Sequence, residues 1–237
     1  MVKNRDIEQA RAIYYKFFET IFSFIDTDKQ IDDISKMLEL FLNNPVSEES
    51  KNAIKQMILI LENDSLKTLK DEQNAVFVSP DSTFVPMSVS YFDEGRDDGQ
   101  KRVKAAGFVF GSKFRRNEFH SNDPEDNITF LFSFMNALIN SGVDGDEEGL
   151  KLAKEVFKEL LNECLDEFAD ILYIHENGDF YKNSAVLLGD FIEFERFYLG
   201  IDPSRKSSSK ERTSVVIKKD RKPFAKRVER DMNEIKL

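Results

Sequence analysis

A chain of 237 residues with 34 Lys and Arg against 44 Asp and Glu, a net charge of −10, and 41% apolar residues can build one sizeable core. A single cysteine, Cys164, and two histidines, His120 and His175, exclude an internal disulfide and any multi-cysteine metal centre. No uncharged apolar run approaches the roughly eighteen residues of a membrane span, and the opening MVKNRDIEQAR holds no apolar signal core, so a soluble cytoplasmic protein without stable membrane association is expected.

The spacing of Ile7, Ala10, Ile13 or Tyr14, Phe17, Ile21 and Phe24 predicts a first helix from about Asp6 to Phe24, its apolar face widened by Tyr15, Phe18 and Phe22. Thr27, followed three residues later by Gln30, reads as the capping box of a second helix that runs through Leu42 and ends at Asn43-Asn44-Pro45. Ser47 can cap a third, with Ile54, Met57, Ile58 and Leu61 as its buried stripe, and a fourth covers about Leu66 to Phe77. Between Val78 and Arg96, the turn residues Ser79-Pro80-Asp81-Ser82 and the missing N–H of Pro86 predict the longest irregular segment of the body. Helical spacing resumes from Arg102 to Phe110. A loop from Phe114 to Ser121, with Arg115, Arg116 and His120, then leads into the most apolar stretch of the chain.

That stretch, Asn122 to Ile139 (NDPEDNITFLFSFMNALI), is expected to be the central helix. Asp123 can cap it, Pro124 suits its first turn, and Glu125 and Asp126 place negative charge at the positive end of the dipole. Its apolar residues from Ile128 to Ile139 fall on every face, as in a helix buried on all sides. Two amphipathic helices follow, about Asp146 to Leu172 and Asp179 to Leu199. No strand is required. The expected fold is all-α, a single helical-bundle domain of about eight helices over residues 1–202, followed by a basic flexible tail, 203–237, with room for a short helix from about Phe224. Twelve Lys and Arg against five Asp and Glu make that tail +7, while residues 1–202 carry −17. An acidic body disfavours nucleic acid and draws in basic partners.

Chemistry is sparse. There is no phosphate-cradling glycine loop, nucleophile elbow, paired-His motif or Cys-x-x-Cys, so no catalytic residue and no cofactor is nominated. Asp144-Gly-Asp-Glu-Glu lacks the spacing of a calcium loop and reads as an acidic helix start, and Cys164 sits at a core position.

Three stretches carry a resemblance. Val76-Phe77-Val78-Ser79-Pro80, then Val85-Pro86-Met87-Ser88-Val89-Ser90-Tyr91 with Glu94-Gly95, then Asp123-Pro124-Glu125-Asp126-Asn127 leading to Phe134-Met135, resemble in order and spacing the TorD/DmsD/NarJ family of redox-enzyme maturation chaperones. The similarity extends over about Ala10 to Gly200, with Asn127 standing where that family usually has His, Leu131 where Glu is frequent and Ser88 where Glu is common. The resemblance implies an all-helical cytoplasmic chaperone, not an enzyme. Its partner would be the apo catalytic subunit of a molybdopterin oxidoreductase, with a formate dehydrogenase as the natural guess. The chaperone would bind that client's twin-arginine signal peptide and hold back export until the cofactor is inserted.

Such a peptide offers two arginines and an apolar stretch, so its receptor needs carboxylates beside an apolar groove. The residues expected to bind it are Met87, Ser88, Tyr91, Glu94, Pro124, Glu125, Asp126 and Asn127, with Asp93, Asp97 and Asp98 nearby and Phe92 as an apolar neighbour. The competing reading gives Asp123, Glu125 and Asp126 a capping role only and buries Met87 and Tyr91 in the core. An adaptor that binds a client without reading its leader also fits, as does either a monomer or a helix-swapped dimer.

Overall fold

Side chains that fit helix ends set most of the boundaries in the computed structural model, which describes residues 2–62, 65–115 and 123–204. Ten α-helices form among them. They are α1 (Val2–Phe22), α2 (Asp28–Asn43), α3 (Glu48–Leu61), α4 (Ser65–Gln73), α5 (Val89–Glu94), α6 (Gln100–Gly111), α7 (Ile128–Val143), α8 (Glu147–Val156), α9 (Asn162–Tyr173) and α10 (Asp179–Leu199). Thr27 and Gln30 form the complete capping box at α2, and the Ser47 hydroxyl accepts from Ser50 N at α3. Asp146 caps α8 through Gly149 N, with Glu147 and Glu148 in the first turn, so the acidic run is a helix start. The described residues contain one isolated antiparallel bridge, Ser88 with Asn127, and no strand.

Several expectations need correcting. The first helix stops at Phe22, so Phe24 lies beyond it at 64% exposure and Ala10 is exposed as well. A π-helical turn, Asn74–Val78, continues α4, and another, Phe157–Leu161, joins α8 to α9 inside the long helix expected from Asp146. The irregular segment after Val78 contains the short helix α5. The helix expected from Asp123 begins only at Ile128, because residues 126–128 are drawn into backbone hydrogen bonds with residues 87–89. His120 and residues 205–237, including the expected linker and tail helix, lie outside the described residues.

Burial explains the packing. The most extensive helix pair is α1 against α7, while α10 packs on α3 and α9, α8 on α7, and α2 on α3. Aromatic rings fill the centre: Tyr14 stacks on Phe41 at 4.1 Å and on Phe191 at 4.9 Å, and Phe22 meets Phe132, Phe168 and Tyr181 at 5.2 to 6.1 Å. Cys164 is buried, which pushes its thiol well above the ordinary range and leaves it a small core side chain.

Not all of the interior is apolar. Arg11, 2% exposed, is clamped between Glu8 on its own helix and Glu195 of α10, with Nη2 2.8 Å from Glu195 Oε2, and the Tyr15 hydroxyl donates to the same oxygen at 2.9 Å. This cluster fixes α1 against α10 in one register, since removing either partner strands a buried charge. No helix among the described residues is long and apolar enough to cross a membrane.

Candidate functional site

Two motif segments far apart in the chain meet in space. Val89 N donates to Asp126 O at 2.9 Å and Ile128 N donates to Met87 O at 2.8 Å, which lays residues 87–89 antiparallel to 126–128. Below this bridge the Asp126 carboxylate is fully buried. Its Oδ2 accepts from Ser88 Oγ at 2.9 Å, from Ser90 N at 3.1 Å and from the Ser90 hydroxyl. A buried carboxylate is tolerable only with such donors, so Asp126 acts as a staple between the loop before α5 and the start of α7. Asn127 next to it caps α7, its Oδ1 accepting from Thr129 N at 2.8 Å and Phe130 N at 3.4 Å. The expected cap, Asp123, is therefore replaced by Asn127, and Pro124 sits in a turn closed by Asn127 N to Pro124 O at 3.0 Å.

The acids expected to face a peptide have other partners. Glu94 accepts from Arg96 Nη2 at 2.6 Å and from Gln100 N at 2.6 Å, so it caps the start of α6. The backbone N–H of Gln100 and the Arg96 guanidinium hold its carboxyl below the usual range. A Cβ at Gly99 would stand 2.5 Å from the Glu94 carboxylate, so a larger residue there displaces that side chain. Glu125 accepts from Arg102 Nε at 3.1 Å, and Arg102 also pairs with Asp98. Tyr91 is half-buried, its ring edge-on to Phe84 at 5.4 Å.

Beside the bridge lies a groove of about 790 Å³. Of the expected residues, Met87 and Asn127 line it, whereas Ser88 and Asp126 lie beneath the surface and Tyr91, Glu94, Pro124 and Glu125 are not part of its wall. Its floor is the side of α7 that carries Phe130, Ser133, Phe134 and Ala137, at i, i+3, i+4 and i+7. Three of these, Phe130, Ser133 and Ala137, are only half-buried, so α7 is not enclosed on all sides. Phe22 of α1, Phe77 of the first π turn, Val109 of α6 and Phe114 complete the apolar wall. At the rim stand Phe24 and Val78, 64% and 67% exposed, and large apolar side chains gathered around an apolar groove mark a binding surface.

Charge is present but modest. Glu19, Asp123 and Arg115 also line the groove, and Glu19 is bridged at 3.0 Å by Lys16, a lysine 53% exposed. The pair is exposed on its lysine side and half-buried at Glu19, so its contribution is modest. Gln73 anchors the wall, taking Ile25 N on Oε1 at 3.0 Å and giving Nε2 to Ser23 O at 2.6 Å. The sequence placed Phe22, Phe77, Phe130 and Phe134 of the wall in helices and Phe114 in a loop. It could not show that faces of α1, α6, α7 and the π turn converge, although Ser133 and Asn136 within the apolar run were a sign of an open seam.

Residues 43–173, more than half of the chain, match the family described as nitrate reductase delta subunit. Among solved structures, one described as a redox enzyme maturation protein from Archaeoglobus fulgidus is similar at 22% identity and a TM-score of 0.49, over 77% of this chain and 92% of that one. No curated protein matches the chain. The matched segment holds both bridged motifs and the floor of the groove, and the chain belongs to the nitrate reductase delta subunit family, the NarJ/TorD-type chaperones of redox-enzyme maturation.

Proposed function

We propose that the groove along the first half of α7 binds an apolar segment of a molybdenum-enzyme precursor, and that the chain holds this client in the cytoplasm while its cofactor is inserted. The observation that carries the reading is the groove itself, with Phe130, Phe134, Phe77, Phe22 and Met87 in its wall and Phe24 and Val78 exposed at its rim. An amphipathic or extended segment buries its apolar side chains in such a groove. A twin-arginine leader is the client segment that fits, with Glu19 and Asp123 as carboxylates at the wall for its guanidinium groups. A formate dehydrogenase is one client of this class.

The adaptor reading is favoured by one specific feature. Glu94 and Glu125 are engaged by Arg96 and Arg102, so the acids once expected to meet two client arginines are occupied from within. Titrating three peptides onto the chain separates the readings. A leader, the same leader with its arginines replaced by glutamine, and one with its apolar stretch scrambled serve as the set. Leader recognition predicts that both changes weaken binding. An adaptor of the groove responds to the apolar change alone, and equal binding of all three contradicts the groove as the site.

A further inference from the structure

We infer that the basic tail of this chain occupies the same groove and competes with the client there, an inference that rests on the groove being the client site. Outside the described structure lie residues 205–237, and their sequence repeats the chemistry the groove selects. Lys210 and Arg212 precede the tail's one β-branched run, Val215-Val216-Ile217, and Lys218 and Lys219 follow it. The whole tail is +7 against −17 for the body, so its long-range attraction is toward its own domain.

Length and attachment fit. The described chain leaves α10 at Gly200, is tied down where Asn162 Nδ2 donates to Asp202 O at 3.1 Å, and buries Ser204 at 5% exposure. From Ser204 to Val216 is twelve residues, a reach of up to roughly 40 Å. The groove wall at Phe77 packs on Tyr181 at the start of α10, and the tail leaves the other end of that 21-residue helix, so the distance to span is about 30 Å and lies within the tail's reach. Tethering then supplies the tail to the groove at an effective concentration of about millimolar, enough for a weak segment to compete with a separate peptide.

The test uses the full-length chain with p-benzoylphenylalanine in place of Val216, irradiated when dilute and mapped by mass spectrometry. Cross-links within one chain to residues 77–87 or 130–137, reduced by Phe130→Glu or by Ser133→Trp, are expected. Cross-links scattered over other surfaces, or formed between chains, overturn the inference. In parallel, Val215→Asp, Val216→Asp and Ile217→Asp together in the full-length chain are expected to tighten leader-peptide binding several-fold. If the peptide binds and its affinity is unchanged by that triple substitution, the tail is no competitor. Should no leader peptide bind either form, the client reading fails and the cross-link map alone decides the fate of the tail.

Discussion

Asp126 is a fully buried carboxylate whose Oδ2 takes three donors from Ser88 and Ser90. The motif around it was visible, and acidic residues before an apolar run suggest a cap or a charged surface, but the side chain points inward to Ser88 and Ser90. Asp126→Ala leaves two hydroxyls and one backbone N–H without their acceptor in a buried site. We predict a loss of about 2–4 kcal/mol in urea unfolding, and stability within experimental error of the native chain would contradict the staple. The substitutions at Ser88 and Asn127 relative to the resembled family have local meaning here. Ser88 gives the buried carboxylate a donor, and Asn127 supplies the cap for α7. The staple was not legible from one-dimensional spacing, because the partners of Asp126 lie 36 and 38 residues away.

At the level of elements, most helices were readable because their causes are local. The capping box at Thr27, the caps at Ser47 and Asp146 and the periodic faces of α2, α3 and α10 need only neighbours within a turn or two. The start of α7, the π turns and α5 depended on contacts between elements and were misplaced or missed. Two joints yield predictions. Glu72 at the end of α4 accepts Tyr181 N at the start of α10, 2.9 Å away, and burial pushes its carboxyl up from 4.5 to about 7 despite the backbone N–H groups of Tyr181 and Phe180. The folded chain then keeps a proton that the unfolded chain loses near pH 4.5. This contribution to stability is complete below pH 4.5 and is lost as pH rises to about 7. The native chain minus Glu72→Gln, compared by urea unfolding at several pH values, should show this fall, up to roughly 3 kcal/mol, and a flat difference would refute it. On α6, a Cβ at Gly107 would meet nothing within 4 Å, so the glycine costs helix stability without serving the packing. Gly107→Ala should stabilise the chain by about 0.5–1 kcal/mol, and a lowered melting temperature would show that the site is tighter than described.

At the scale of the molecule, charge and groove belong together. On the proposed function, a body of −17 raises the encounter rate with a cationic leader and the apolar wall holds it, so added salt should slow association more than it speeds release. Stopped-flow association with a fluorescent leader at increasing ionic strength checks this, and salt-independent association would contradict it. The central claim is that client binding resides in the floor of α7 and not in the motif acids. Isothermal titration of a twin-arginine leader onto the full-length chain, onto Phe130→Glu and onto Glu125→Gln tests it directly. The account predicts at least a tenfold loss with Phe130→Glu and little change with Glu125→Gln. Undiminished binding to Phe130→Glu, with binding abolished by Glu125→Gln, would place the client elsewhere.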